Sequence, residues 1–249
     1  KFDKFTTNLA IRNIIGQSES SFDFRKVMDE GKILIVNLSK GLIGDENMSF
    51  LGLLIVQKLL AAALSREDIP EEERRDFFFY ADEFQNFATE EFNSILSEAR
   101  KYRLNLTLAH QYIGQLPEDI KNAVFGNVGS LFITRCSPED AKFLETPFEG
   151  YVTATDIVNQ SMGHWYTKLL NNGSYPAPFS LISTYGPKFP DSGFDLPVNK
   201  EVSGIIKEMS RRKYGRDVNV VANDIRIRAQ LDRKKEQVQN PAPGFPPIF

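Results

Sequence analysis

Phe77-Phe78-Phe79-Tyr80-Ala81-Asp82-Glu83 is the stretch on which the reading of this 249-residue chain turns. Five uninterrupted apolar residues predict a strand buried on both faces, as in a parallel sheet. Two carboxylates follow the strand with no spacer. In open parallel sheets ligands bind beyond the carboxyl ends of the strands, so Asp82 and Glu83 fall at the ligand-binding edge.

The flanking sequence supports such a sheet. Upstream, Lys32-Ile-Leu-Ile-Val-Asn-Leu38 is a second apolar, β-rich run. A helix is expected over roughly 47–66, and Pro70 with the charged run Glu71–Asp76 reads as a solvated loop. Downstream, Thr89 is placed to cap a helix with Glu90 and Glu91 in its first turn and Arg100 and Lys101 in its last, an order that suits the helix dipole. Phe92, Ile95, Leu96 and Ala99 give that helix one apolar face. Leu104–Ala109 reads as a third strand and Val128–Thr134 as a fourth, with helices near Pro117 and over Pro138–Leu144. Strands alternating with helices imply an α/β fold: a parallel sheet flanked by helices, with right-handed crossovers.

Beyond residue 145 the pattern changes. Trp165–Leu170 and Phe179–Thr184 flank Asn172-Gly173, a hairpin signal that predicts a β-excursion. The expected organisation is a polar, partly helical lead-in over 1–28 and the α/β domain with its excursion over 29–185. A linker over 186–199 and a charged helical segment over 200–239 follow. A tail over 240–249 holds four prolines.

Composition narrows the function. Hydrophobic residues make up 41% of the chain, enough for a core. A formal charge of −3 excludes a uniformly basic nucleic-acid binder, so DNA contact would need local patches. Cys136 has no partner for an internal disulfide and the two histidines lack metal-ligand spacing, which fits a reducing, cytosolic compartment. Leu51–Leu64 contains Gln57 and Lys58 and is too short for a membrane span, so it reads as a buried helix. No signal peptide opens the chain, and its start at Lys1 leads us to expect further residues upstream.

Read for chemistry, the strand ends offer Asn37 and Ser39, then Asp82 and Glu83, then His110 and Gln111. One reading is that loops are wet. The other is specific to Phe77–Glu83, which has the form of a Walker B motif. A buried strand would then fix Asp82 near a nucleotide-bound Mg²⁺, for which oxygen ligands are suited. Glu83 would polarise a water for attack on the γ-phosphate. The matching phosphate cradle, Gly-x-x-x-x-Gly-Lys-Ser/Thr, is absent: Ile33 follows Gly31-Lys32, and Gly126-Asn-Val-Gly129 has no lysine. The chain therefore holds half of a nucleotide site. Gln111 either reaches a γ-phosphate or caps a strand end, and Arg100, off the apolar face, favours the C-terminal end of its helix dipole. Between Lys207 and Lys235 a series of Lys and Arg is suited to phosphates or anionic lipid. The interleaved Glu208, Asp217 and Asp224 point instead to a solvated helical face.

Residues 22–144 resemble the ATPase domain of type IV secretion and conjugation coupling proteins (TraG/TraD-like), within the HerA/FtsK group of RecA-like motors. The resemblance rests on Gly31-Lys-Ile-Leu-Ile-Val-Asn-Leu-Ser39, Tyr80-Ala-Asp-Glu-Phe-Gln85, Leu96-Ser-Glu-Ala-Arg-Lys-Tyr102, Leu108-Ala-His-Gln-Tyr112 and Asn127-Val-Gly129, in that order. It implies that Asp82 coordinates Mg²⁺, Glu83 is the catalytic base, Gln111 senses the γ-phosphate and Arg100 is an arginine finger reaching a neighbouring subunit. It further implies ATP and Mg²⁺ as cofactors and a hexamer translocating DNA or protein–DNA. Secretion-channel and relaxase proteins would be the partners, and upstream segments would hold the protein at the inner face of the cell membrane. The P-loop and membrane segment of such proteins lie upstream of the matched region, so the isolated chain is expected to be inactive. The alternatives are a HerA/FtsK-like DNA-processing translocase and a non-catalytic assembly or cargo-binding module.

Overall fold

A computed structural model describes residues 8–183 and 199–230, apart from the side chains of Leu42, Glu90, Glu91, Asn93 and Ser94. The linker expected from 186 and the tail over 240–249 fall outside these residues, save position 199. The chain divides into two units, one formed by 24–197 and the other by 1–23 with 198–249.

The larger unit begins with α2 (Phe24–Asp29), preceded in the chain by α1 (Leu9–Ile15) of the smaller one. Then come α3 (Asp45–Leu64), β1 (Phe77–Ala81), α4 (Glu90–Glu98), β2 (Leu104–Leu108) and α5 (Glu118–Asn127). β1 and β2 pair in parallel, with Phe77 opposite Leu104 and Ala81 opposite Leu108. The α/β architecture read from the sequence is thus present, with helices packed on this pair. Phe77, Phe79 and Ala81 face a core with Leu104, Leu106 and Leu108, to which α3 adds Val56 and Leu59, α4 adds Phe92 and Ile95, and α5 adds Ile120 and Val124. α3 is long and apolar enough to cross a membrane by length and composition alone. Its Val56, Leu59, Ala62 and Ala63 are instead buried in this core.

Two expectations are corrected. The run 32–39 is extended but has no ladder partner among the described residues. Ile33 and Ile35 stand 91% and 85% exposed. β1 is also buried on one face only: Phe78 and Tyr80 point outward, 60% and 71% exposed. The reason is strand geometry. Alternate side chains face opposite sides, and among the described residues only one side of this two-stranded sheet is covered.

The expected fourth strand is shorter and pairs elsewhere. β3 (Leu131–Ile133) joins β4 (His164–Lys168) and β5 (Phe179–Ile182) in an antiparallel sheet of order β3-β4-β5. The Asn172-Gly173 hairpin connects β4 to β5 as read, with both residues at positive φ, 48° and 77°. These are the values a two-residue I′ turn requires. α6 (Pro138–Glu145) and α7 (Ala154–Val158) pack with this sheet around Ile133, Leu144, Phe148 and Ile157.

Two buried arginines tie the C-terminal end of α3 to the start of β2. Arg66 is fully buried, donates to Tyr102 O at 2.9 Å and to Arg75 O at 2.5 Å, and pairs through Nε with Asp29 at 3.0 Å. Burial pulls its pKa below the ordinary guanidinium value, while the Asp29 charge pushes it back up. Arg74 donates to Arg66 O and Ile69 O, donates to Lys101 O at 2.5 Å, and lies over the Tyr102 ring. Five main-chain carbonyls accept hydrogen bonds from the two guanidinium groups in this way.

The smaller unit joins α1 to α8 (Lys200–Tyr214) and α9 (Val218–Arg228). Asn8 caps α1 by accepting from Ala10 N and Ile11 N, Ile11 and Val221 are buried, and Ile225 lies against Gly16.

Removing Arg66 strands two carbonyl acceptors and leaves Asp29 with Arg25 as its remaining partner. Arg66→Met is predicted to lower unfolding stability by about 2–4 kcal/mol, measured by urea denaturation. A loss below about 1 kcal/mol would be the size of one ordinary hydrogen bond and would mean that Arg66 does not hold this junction.

Candidate functional site

The turn after β1 is stitched to the end of β2. Ala109 N donates to Ala81 O at 2.9 Å and Phe84 N donates to Ala109 O at 3.1 Å. Between these bonds the chain makes an abrupt change of direction at Glu83, which adopts the left-handed conformation (φ 52°, ψ 42°). For a residue other than glycine this costs about 1–3 kcal/mol, and such strain gathers at functional sites. The change starts a 3₁₀ turn over Phe84–Asn86, anchored by Phe84. That ring is 1% exposed, stacks on Phe92 at 5.9 Å and meets His110 edge-on at 5.3 Å.

The turn brings Glu83 to Gln111. Gln111 Nε2 donates to Glu83 Oε1, and Gln85 Nε2 donates to Oε2 at 2.5 Å. One amide thus holds each carboxylate oxygen. A carboxylate has about four lone-pair sites, so both oxygens keep acceptor capacity for a water. Asp82, exposed beside it, accepts from Glu83 N through Oδ1 at 3.0 Å. Lys40, Glu83, Gln85, Asn86, Gln111, Tyr112 and Gln115 line an open cleft of about 680 Å³ here.

The sequence-derived residues separate into two groups. Glu83 and Gln111 are in direct contact, and Asp82 adjoins Glu83 but is not among the residues that line the cleft. Arg100 lies elsewhere: α4 ends at Glu98, and a 3₁₀ turn, Ala99–Tyr102, carries Arg100 exposed just before β2. Because the strands are parallel, that turn sits at the opposite end of the sheet from Glu83, roughly 16 Å away for five residues at 3.3 Å each. Phe92, Ile95 and Ala99 are buried as their spacing indicated, and Arg100 points away from them. Thr89 occupies the N-cap position of α4, but its hydroxyl makes no capping bond.

Gln85, Asn86, Gln115 and Lys40 were not singled out in the sequence. The available signal for Gln85 was its place two residues after Glu83, within reach only if the backbone reverses at Glu83. Lys40 follows Ser39 in a single helical turn, Lys40–Ile43.

The donor set suits one hard cation only in part. Asp82 and Glu83 supply carboxylate oxygens, and no group of three or more potential ligands occurs among the described residues. Mg²⁺ ordinarily takes one or two carboxylates and fills its remaining positions with water and phosphate oxygens. The residues present therefore fit a nucleotide-bound Mg²⁺, not an ion held by protein alone.

Over residues 1–129 the sequence matches the family described as "Type IV secretory system Conjugative DNA transfer". The match spans just over half of the chain. The chain belongs to this family. No curated protein matches it. Among solved structures, the bacterial conjugative coupling protein TrwBdeltaN70 in its unbound monoclinic form is similar at 19% identity and a TM-score of 0.45, over 55% of this chain and 38% of that one. The plasmid coupling protein TrwB in complex with ADP and Mg²⁺ is similar at 18% and 0.44 over the same shares, and its complex with the ATP analogue ADPNP at 17% and 0.43 over 58% and 41%. The chain thus spans well under half the length of these coupling proteins, at a likeness too low to assign roles to its residues.

His110 links the cleft to the core. Burial drives its pKa below the ordinary imidazole value, outweighing the opposing Tyr112 backbone bond and the Asp140 and Glu83 charges. The unfolded chain therefore binds more protons than the folded one between the lowered value and about 6.5, so stability is lost as pH falls through that window. His110→Phe, which keeps an aromatic ring against Phe84, is predicted to flatten the fall in melting temperature between about pH 7 and about pH 5. Parallel curves for the two proteins would show that His110 contributes nothing to acid sensitivity.

Proposed function

We propose that this chain is the acidic, water-activating half of the nucleotide site of a conjugative coupling ATPase. Membership of the conjugative DNA transfer family supports this, and the observation that carries it is the clamp of Gln85 and Gln111 on Glu83, beside Asp82, at the carboxyl end of a parallel strand pair. When bound, Mg²⁺–ATP supplies the phosphoryl group and the cation that neutralises its charge. Asp82 would hold the cation, directly or through one of its waters. Glu83, fixed in orientation by two amides, accepts the proton of a water on its remaining lone pairs. Gln111 bridges Glu83 and the cleft, where its amide is positioned to register whether a phosphate is present.

Arg100 lies too far along the sheet to serve the same cleft. In this reading it acts in trans, stabilising charge on the nucleotide of a neighbouring copy in a ring, which agrees with a hexamer. The cargo is DNA or a protein–DNA complex, the partners are secretion-channel and relaxase proteins, and the place of work is the inner face of the cell membrane. The absence of a phosphate loop from these 249 residues favours a second reading, a non-catalytic assembly or cargo-binding module, if the protein as encoded lacks that loop altogether.

Calorimetric titration of the 249-residue chain with Mg²⁺–ATP is expected to give no micromolar binding and no turnover, because the sequence has no Gly-x-x-x-x-Gly-Lys loop whose backbone N–H groups and lysine would wrap the β- and γ-phosphates. Micromolar binding with hydrolysis would contradict the half-site. In the protein as encoded, including any residues preceding Lys1, Glu83→Gln is expected to reduce ATP hydrolysis by about 10²–10⁴-fold. Arg100→Ala is expected to reduce it by about 10³–10⁵-fold with little change in melting temperature, and mixing the two variants should restore part of the rate. Near-normal hydrolysis by Arg100→Ala would leave that side chain a helix-end cation only.

A further inference from the structure

Helix α8 lies outside the nucleotide site and has an unexplained face. Val202, Ile205, Ile206 and Met209 recur at helical spacing and are 47–65% exposed, forming one apolar stripe. None of the fifteen residues of α8 is buried. Gly204 interrupts the helix with nothing within 4 Å of where a Cβ would stand. Isolated helices of about 12–15 residues are marginal in water, and an interior glycine weakens them further. Asn199 caps α8 by accepting from Val202 N at 3.0 Å, and Arg211, Arg212 and Lys213 favour its C-terminal end. Caps and dipole contacts do not hide the stripe.

The charge of the helix selects what covers it. Lys200, Lys207, Arg211, Arg212 and Lys213 face only Glu201 and Glu208, so α8 carries a net +3 in a chain whose total is −3. Glu208 is shared by Arg211 and Arg212, at 3.7 and 2.8 Å. Two copies of α8 would repel each other, and two heptads fall short of the three or four that a coiled-coil seam needs. DNA offers phosphates but nothing for four exposed apolar side chains. A lipid interface answers both features, because a basic amphipathic helix lies in its plane with the apolar side chains inserted. Arg212 and Lys213 stand one heptad after Ile205 and Ile206 and continue the stripe at its C-terminal end, so their aliphatic stems can follow it while their charges reach the headgroups.

We propose that α8 is an in-plane anchor for an anionic lipid surface, independent of the nucleotide site. Three net charges favour a phosphatidylglycerol-rich surface over a neutral one by about a hundredfold.

The test is flotation of the full 249-residue chain with vesicles of phosphatidylcholine alone and of phosphatidylcholine with phosphatidylglycerol. Binding is expected only with the anionic vesicles. It should weaken as salt rises from about 0.1 M to about 1 M, which shortens the screening length from about 10 to about 3 Å. The double variant I205S/I206S, altered only at exposed positions, should retain its melting curve and lose roughly tenfold or more of its partitioning. Partitioning unchanged by I205S/I206S would overturn the proposal. So would equal affinity for neutral vesicles, or self-association in the absence of lipid that the variant abolishes, which would give the stripe to a second copy. Indifference to both vesicles would also overturn it, leaving the stripe to an acidic protein partner.

Discussion

The parallel ladder between β1 and β2 is the constraint on which the rest of the larger unit depends. Parallel strands end on the same side, so the residues after Ala81 and those after Leu108 must meet. An antiparallel pair would have sent Asp82–Glu83 and His110–Gln111 to opposite ends. Register is held by packing as well as by hydrogen bonds. A slip of one residue would turn Phe77 and Phe79 outward and drive Phe78 and Tyr80 into a core shaped for their neighbours. Two bonds at Ala109 continue the ladder past the last strand pair and fix where Glu83 reverses.

Each end of this strand pair is held differently. At the carboxyl end, strained backbone at Glu83 is compensated by Phe84, whose ring is locked between Phe92 and His110. At the amino end, Arg66 and Arg74 bind the carbonyls of Tyr102 and Lys101 and so fix the turn that presents Arg100. Positively charged side chains are costly to bury, and here each is matched to several acceptors. The core side chains of α3, α4 and α5 connect the two ends. A strand pair only five residues long therefore has both the acidic turn after β1 and the cationic turn before β2 set by packed neighbours rather than by loops.

Much of this was legible in the sequence because the signals were local. β1 was announced by its apolar run, α4 by the spacing of Phe92, Ile95 and Leu96, and the β4–β5 hairpin by Asn172-Gly173, which the positive φ values require. What failed was non-local. Whether Lys32–Leu38 joins a sheet depends on a partner strand, and nothing in a seven-residue run with five apolar side chains specifies one. The same ambiguity hid the antiparallel pairing of Leu131–Ile133, since a short apolar run carries no direction. The site was half legible. Asp82, Glu83 and Gln111 stand at strand ends that periodicity locates, whereas Gln85 enters only through the left-handed turn at Glu83, a conformation that no propensity of glutamate foretells.

In the reading proposed above, this strand end forms the acidic wall of a nucleotide site completed by a phosphate loop. The most direct measurement is a crystal structure of the protein as encoded, with Mg²⁺ and a non-hydrolysable ATP analogue. An Asp82 oxygen is expected on the cation or on one of its waters. A water aligned with the terminal phosphate is expected within about 2.6–3.2 Å of Glu83, with Gln85 and Gln111 still on the Glu83 carboxylate. Nucleotide bound away from the carboxyl ends of β1 and β2, or Glu83 turned out of the cleft with no water in line, would contradict it.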